Sequence, residues 1–227
     1  MDDKCDNKGK PVRATQDERA GSFFARKSLV IGLTGGVATG KTTVARMFQD
    51  LGANVISADE VVHQMLAPGS QVWEQVRQEF GREVLLPDGN IDRSRLADVV
   101  FRDPGRRMRL EAITHPPVLE YLRKQSDCFR ESGEGVLVLE IPLLIETGAL
   151  DIVDKVLVVT AEQESQISRL ENRYSIRREE AIRRICSQLP LEEKVRHADW
   201  VISTEGTLES TKTQVERVWC DVQKLLA

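Results

Sequence analysis

The 227-residue sequence predicts an α/β fold in which helices cover both faces of a parallel sheet. Three features point there. Short apolar runs at 28–33, 135–141 and 155–160 lack polar alternation, as strands buried on both faces do. Longer amphipathic stretches separate them, and no internal repeat is present. The composition, 41% hydrophobic and 30% charged, suffices for one sizeable core with small additions.

The elements follow in order. Residues 1–27 are polar and of mixed charge, with no period that buries a face, and predict a flexible extension. Ser28-Leu29-Val30-Ile31-Gly32-Leu33 is the first strand; a helix follows with Val44, Ala45, Phe48 and Leu51 on one face and Gly52 as its stop. Ala53-Asn54-Val55-Ile56-Ser57 is a second strand, ending at Ala58-Asp59. Residues 63–132 read as a helical insertion. Turns are expected at Pro68-Gly69, Pro87-Asp88-Gly89, Asp103-Pro104-Gly105 and His115-Pro116-Pro117. Strands at 135–142 and 155–160, an arginine-rich helical stretch at 162–197, a strand at 199–203 and a terminal helix from Thr207 complete the chain. The core is thus 28–62, 133–161 and 198–227, and the two long helical stretches sit over the carboxyl edge of the sheet, where α/β proteins place their sites.

Composition excludes several classes. The net charge of −4 gives no general attraction to nucleic acid or to an anionic membrane. No apolar run reaches the ~20 residues of a membrane span. Asp2, Asp3, Asp6, Asp17 and Glu18 argue against a transit peptide, and no signal-peptide apolar region is present, so the cytoplasm is the expected setting. Cys5, Cys128, Cys186 and Cys220 are scattered without a CxxC pair, which speaks against a zinc site or disulfide framework. No oligomeric state is assigned, because core and interface faces carry the same periodicity.

The strongest motif is Gly35-Gly36-Val37-Ala38-Thr39-Gly40-Lys41-Thr42, followed by Thr43, which matches GxxxxGK[ST] between a strand and a helix. Glycines let backbone N–H groups turn inward around phosphate oxygens, and the opening helix presents unpaired N–H groups and partial positive charge to the same anion. Lys41 is expected on the β- and γ-phosphates and the Thr42 hydroxyl on Mg²⁺. The fold class is therefore the three-layer P-loop NTPase fold, with a helical insertion for an acceptor and a helical lid. A GTPase would need an NKxD-type motif, which is missing; the only DxxG, Asp6 to Gly9, precedes the loop. An ABC-type signature is also missing. A kinase needs an acceptor pocket, a base and closing cations, and all three have candidates.

Several segments then resemble a family. Gly32-Leu33-Thr34-Gly35 through Ala45, Leu51-Gly52-Ala53 to Asp59, and Leu110-Glu111-x-Ile113-x-His115-Pro116 are similar to dephospho-CoA kinases. Pro142-Leu143-Leu144-Ile145-Glu146-Thr147-Gly148, Arg169-Leu170-x-x-Arg173, Ser187-Gln188-Leu189-Pro190-x-Glu192-Glu193-Lys194 and Ala198-Asp199 agree as well. The similarity spans about residues 28–225. It implies ATP-dependent phosphorylation of the ribose 3′-hydroxyl of dephospho-CoA, giving CoA and ADP. Another nucleoside or nucleotide kinase, or a nucleotide switch of reduced activity, remains the alternative.

Asp59, at a strand end, suits a base that takes the proton of the attacking hydroxyl, or equally a helix cap; the resemblance assigns the base. Glu140 ends an apolar strand as a Walker B acid does, and can serve Mg²⁺ through water or position substrate. Arg169 and Arg173 share a helix face, and Arg173 matches the family's second lid arginine, the expected phosphoryl contact. Arg177, Arg178 and Arg183 read as a solvated, ion-paired face. His115, held by two prolines, and Thr34, before the glycines, are expected on the acceptor side. Three positions depart from the family: Ser57 where relatives often have Asp, Tyr174-Ser175 in place of Asp-Gly in the lid turn, and Thr204 where relatives often have Asn.

Overall fold

Strand β1 (Ser28–Gly35) is buried along its whole length and lies at the centre of a five-stranded sheet. The computed structural model describes residues 28–227; the expected flexible extension at 1–27 lies outside the described residues. The other strands are β2 (Asn54–Ser57), β3 (Gly135–Glu140), β4 (Lys155–Thr160) and β5 (Trp200–Ser203). Their order is β2-β3-β1-β4-β5, and every pairing is parallel. The chain fills one side of β1 before crossing to the other. This reversal makes a switch point, and it leaves Gly35, Ser57 and Glu140 together at the carboxyl edge.

Strand periodicity sorts the core into layers. Leu29, Ile31 and Leu33 face α1 (Lys41–Asp50) and α9 (Leu208–Leu226), packing with Val44, Phe48, Val215 and Val222. Val30, Leu137, Leu139, Val156 and Val158 face the opposite side, against Ala58 and Val61 of α2 (Ala58–Met65) and Val118 and Leu122 of α5 (Pro104–Ser132). Two acids pin strand starts: Asp154 accepts the Val30 N–H at 2.9 Å, and Asp199 accepts the Val156 N–H at 2.8 Å.

Helices α3 (Gln71–Phe80) and α4 (Arg93–Arg102) form a satellite cluster of Val76, Phe80, Val84, Ile91 and Leu96 with Leu110 and Ile113 of α5. Helices α6 (Gln163–Tyr174) and α7 (Arg178–Cys186) pack Ile167, Leu170 and Ala181 against Val37 and Ala38, and α8 (Leu191–Val195) leads back to the sheet. Arg178 and Arg183 are ion-paired at the surface with Glu164 and Glu180.

Three of the expected turn sites interrupt the helices. The fourth does not: α5 runs through His115-Pro116-Pro117 without a break. Neither proline offers an N–H, so the carbonyls of Ala112 and Ile113 lose their i+4 donors, a cost of about 3 kcal/mol or more. Tertiary packing overrides it. Leu110 and Ile113 anchor the helix before the prolines, and Val118 and Leu122 anchor it after them.

Phe48 is fully buried between α1 and the sheet, with its ring 6.2 Å from that of Trp219. Phe48→Ala should destabilise the fold by about 3–5 kcal/mol, read as a lower denaturant midpoint at unchanged slope.

Candidate active site

Between β1 and α1 the chain curls tightly enough to exclude side chains. A Cβ on Gly35 would lie 2.2 Å from the Val159 carbonyl oxygen of β4, and Ala38 and Gly40 hold φ of 57° and 91°. Helix α1 has no side-chain cap, so its first N–H groups stay available to an anion. The loop's outer polar groups, in contrast, are bound by protein. The Lys41 ammonium donates to the Gly35 and Gly36 carbonyls at 3.2 and 2.7 Å, and the Thr39 hydroxyl donates to Gly36 at 2.9 Å. Arg169 donates to the Ala38 carbonyl at 3.1 Å and to Thr204 Oγ1 at 2.9 Å; the Thr204 hydroxyl donates to the Thr39 carbonyl at 2.8 Å. The Val37 N–H donates to Gln188 Oε1 at 2.8 Å.

The acids stand at the neighbouring strand ends. Ser57 is the N-cap of α2 and Asp59 lies within its first turn, so Asp59 is not the cap. Asp59 is exposed at the site and has no hydrogen-bond or ion-pair partner among the described residues. Glu140 is in register with Ser57, is 4% exposed, and accepts the Thr42 hydroxyl at 2.8 Å. Burial pushes the Glu140 carboxyl above its ordinary range, while the Thr42 hydrogen bond and the Lys41 charge pull it back. Burial also brings the Lys41 ammonium down to about 8; Glu140 is the strongest opposing influence, and Asp59 acts in the same direction as Glu140. Lys41, Glu140 and Asp59 therefore share one electrostatic site.

A cavity of about 480 Å³ joins them, walled by Val37, Ala38, Gly40, Lys41, Thr42, Thr43, Asp59, His115, Glu140 and Arg173, with Tyr174 and Gln188. Helix α5 brings His115 there from the insertion side. Arg173 arrives from the end of α6, its guanidinium 5.3 Å from the centre of the Tyr174 ring. Thr34 and Thr39 do not reach the cavity, since both are fully buried. The Thr34 hydroxyl donates instead to the Pro142 carbonyl at 3.1 Å, so it meets the cavity only through Pro142, which lines it.

Two residues had no role in the sequence reading, Gln188 and Lys194, and Arg169, expected beside Arg173 on the lid, takes a different one. Gln188 holds the phosphate loop, Arg169 clamps it to Thr204, and Lys194 is fully buried, paired with Glu146 at 2.7 Å and bonded to the Pro142 carbonyl at 3.0 Å. Gln188, Glu146 and Lys194 fall inside segments that stood out in the sequence. Their spacing alone says nothing of what they bind, because their partners are remote in the chain.

A parallel sheet with a glycine loop, lysine and threonine between β1 and α1, an acid at the end of β3 and arginines on covering helices define a P-loop kinase. The dephospho-CoA kinase family model matches residues 29–210. A dephospho-CoA kinase from Symbiobacterium thermophilum is 46% identical over 190 residues, covering 84% of this chain and 80% of that protein. One from Bacillus anthracis is 43% identical over 84% of this chain and 96% of its own length. The chain belongs to the dephospho-CoA kinase family. A solved protein from Thermus thermophilus superposes with a TM-score of 0.69 at 32% identity, covering 86% of this chain and 97% of that one. A shikimate kinase from Acinetobacter baumannii, at 16% identity and a TM-score of 0.52 over 88% of this chain and 95% of its own, shares the fold alone. Among the described residues no helix is long and apolar enough to cross a membrane.

The Glu146–Lys194 pair gives a direct test of this architecture. Lys194→Met leaves a carboxylate of 21% exposure without its cation. The expected loss is about 2–4 kcal/mol, somewhat under the full penalty for breaking a buried pair. Lys194→Met/Glu146→Gln should recover part of it, measured by urea unfolding; a double variant less stable than Lys194→Met would contradict the pairing.

Proposed function

We propose that the chain transfers the γ-phosphoryl group of ATP to the ribose 3′-hydroxyl of dephospho-CoA, giving CoA and ADP in the last step of coenzyme A synthesis. The observation that carries this reading is the exposed Asp59 carboxylate, without a partner among the described residues, in one cavity with Lys41 of the phosphate loop.

In this reading the loop N–H groups and the start of α1 hold the triphosphate, and Lys41 places positive charge against it. The phosphates supply what burial removes from Lys41, a stabilising partner for its charged form. Asp59 accepts the proton of the attacking hydroxyl and orients its oxygen. Arg173 lines the cavity, where a guanidinium can balance charge on the transferring group. His115 and the 63–132 insertion serve the acceptor, and residues 162–197 act as the lid over the 28–62, 133–161 and 198–227 core. The setting is the cytoplasm.

The Thr42 hydroxyl and the buried Glu140 carboxylate are hard oxygen donors already in contact, and they fit Mg²⁺. An ion placed there would be held chiefly by phosphates and water. Thr42 would ligate the ion and Glu140 would orient its water. When bound, Mg²⁺ neutralises charge on the phosphates.

Asp59→Asn should lower kcat by about 10²–10⁴-fold while leaving ADP affinity within about threefold, measured by coupled assay and calorimetry. A kcat within tenfold of the parent would remove Asp59 as the base. An acceptor panel tests the substrate: dephospho-CoA should exceed every nucleoside and nucleoside monophosphate, and faster turnover with any of those would overturn the assignment.

A further inference from the structure

We propose that Gln188 is a positioning residue for the phosphate loop, reaching it from the link between α7 and α8. Its Oε1 accepts the Val37 N–H at 2.8 Å across 151 positions of sequence. That N–H belongs to a short loop with glycines at 35, 36 and 40, whose conformational freedom must be removed before its remaining N–H groups can converge on phosphate. An amide oxygen is suited to the task. It accepts a hydrogen bond as a carboxylate does, but adds no negative charge beside the site of an anionic ligand.

Gln188 is itself held firmly. Its own N–H donates to the Ile185 carbonyl at 3.2 Å, and the next N–H, of Leu189, donates to Glu146 Oε1 at 3.2 Å. The same Glu146 oxygen is paired with the fully buried Lys194, which also donates to the Pro142 carbonyl. The acceptor for Val37 is thereby fixed to the 142–148 loop by an ion pair whose lysine is fully buried, and it arrives oriented. The α7–α8 link, the 142–148 loop and the phosphate loop become one connected unit through this side chain. The inference rests on the reading of the loop as the ATP site. Gln188 also lines the cavity, so contact with the acceptor is the rival role to be separated.

Gln188→Met keeps the length of the side chain and removes the acceptor oxygen; Gln188→Ala serves as a second variant should the first fold poorly. Two measurements on the full chain need no acceptor: exchange of the Val37 amide by NMR, and Mg²⁺–ADP binding by calorimetry. The expected results for Gln188→Met are at least tenfold faster Val37 exchange and about tenfold weaker ADP binding, with the KM for dephospho-CoA within twofold. Gln188→Glu should restore the Val37 protection yet bind ADP more weakly than the parent, since the acceptor returns with a charge. Unchanged Val37 exchange and ADP affinity in Gln188→Met would overturn the proposal, as would an effect confined to the KM for dephospho-CoA. Failure of the parent enzyme to phosphorylate dephospho-CoA would overturn the substrate assignment instead, leaving both binding measurements to judge Gln188.

Discussion

A loop that gathers backbone N–H groups around an anion must send other polar groups outward, into the protein, where each needs a partner of its own. The rest of this site depends on that constraint. Thr39 and Lys41 satisfy the Gly36 carbonyl from within the loop, but Ala38 and Thr39 depend on Arg169 and Thr204, and Val37 depends on Gln188. These partners come from α6, the segment after β5, and the link between α7 and α8. The cupped form of eight consecutive residues is therefore a property of the whole carboxyl edge of the sheet.

Charge at this edge is divided between two lysines. Lys194 is committed to the protein, itself closed off from solvent and paired with the partly exposed Glu146. Lys41 has no carboxylate bonded to it among the described residues and donates to loop carbonyls; burial, and to a lesser degree Lys194, make its charge costly, while Glu140 and Asp59 favour it. A cation disfavoured in this way gains more from a phosphate than a solvated one would. Thr204 takes part in the same arrangement by linking Arg169 to the Thr39 carbonyl. Ser57 sits in register with Glu140, and that buried acid is the carboxylate in contact with Thr42.

Helix α5 ties the insertion to the core. Its first half belongs to the satellite cluster and its second half to the sheet, and His115 with its two prolines lies where these meet. Packing on both sides holds the helix through a dipeptide that would otherwise end it. The Tyr174-Ser175 turn shows the same dominance of context. Ser175 holds a φ of 52° at the end of α6, and the guanidinium groups of Arg173 and Arg184 each lie 5.3 Å from the centre of the Tyr174 ring.

The sequence by itself determined the strands, the phosphate loop and the base candidate, because each is a local pattern. Unalternating apolar runs mean burial on both faces, glycine spacing before Lys41-Thr42 means a loop that can close on phosphate, and Asp59 follows a strand whose end must lie at the site. Only the tertiary structure decided the rest. It turned His115-Pro116-Pro117 from a turn into helix, buried Thr34 beneath Pro142, set Arg169 on the loop and left Arg173 at the cavity, and gave Gln188 and Lys194 their partners. Those outcomes hang on contacts between residues tens to hundreds of positions apart. Such contacts arise from the closing of the fold, and spacing along the chain carries no record of them.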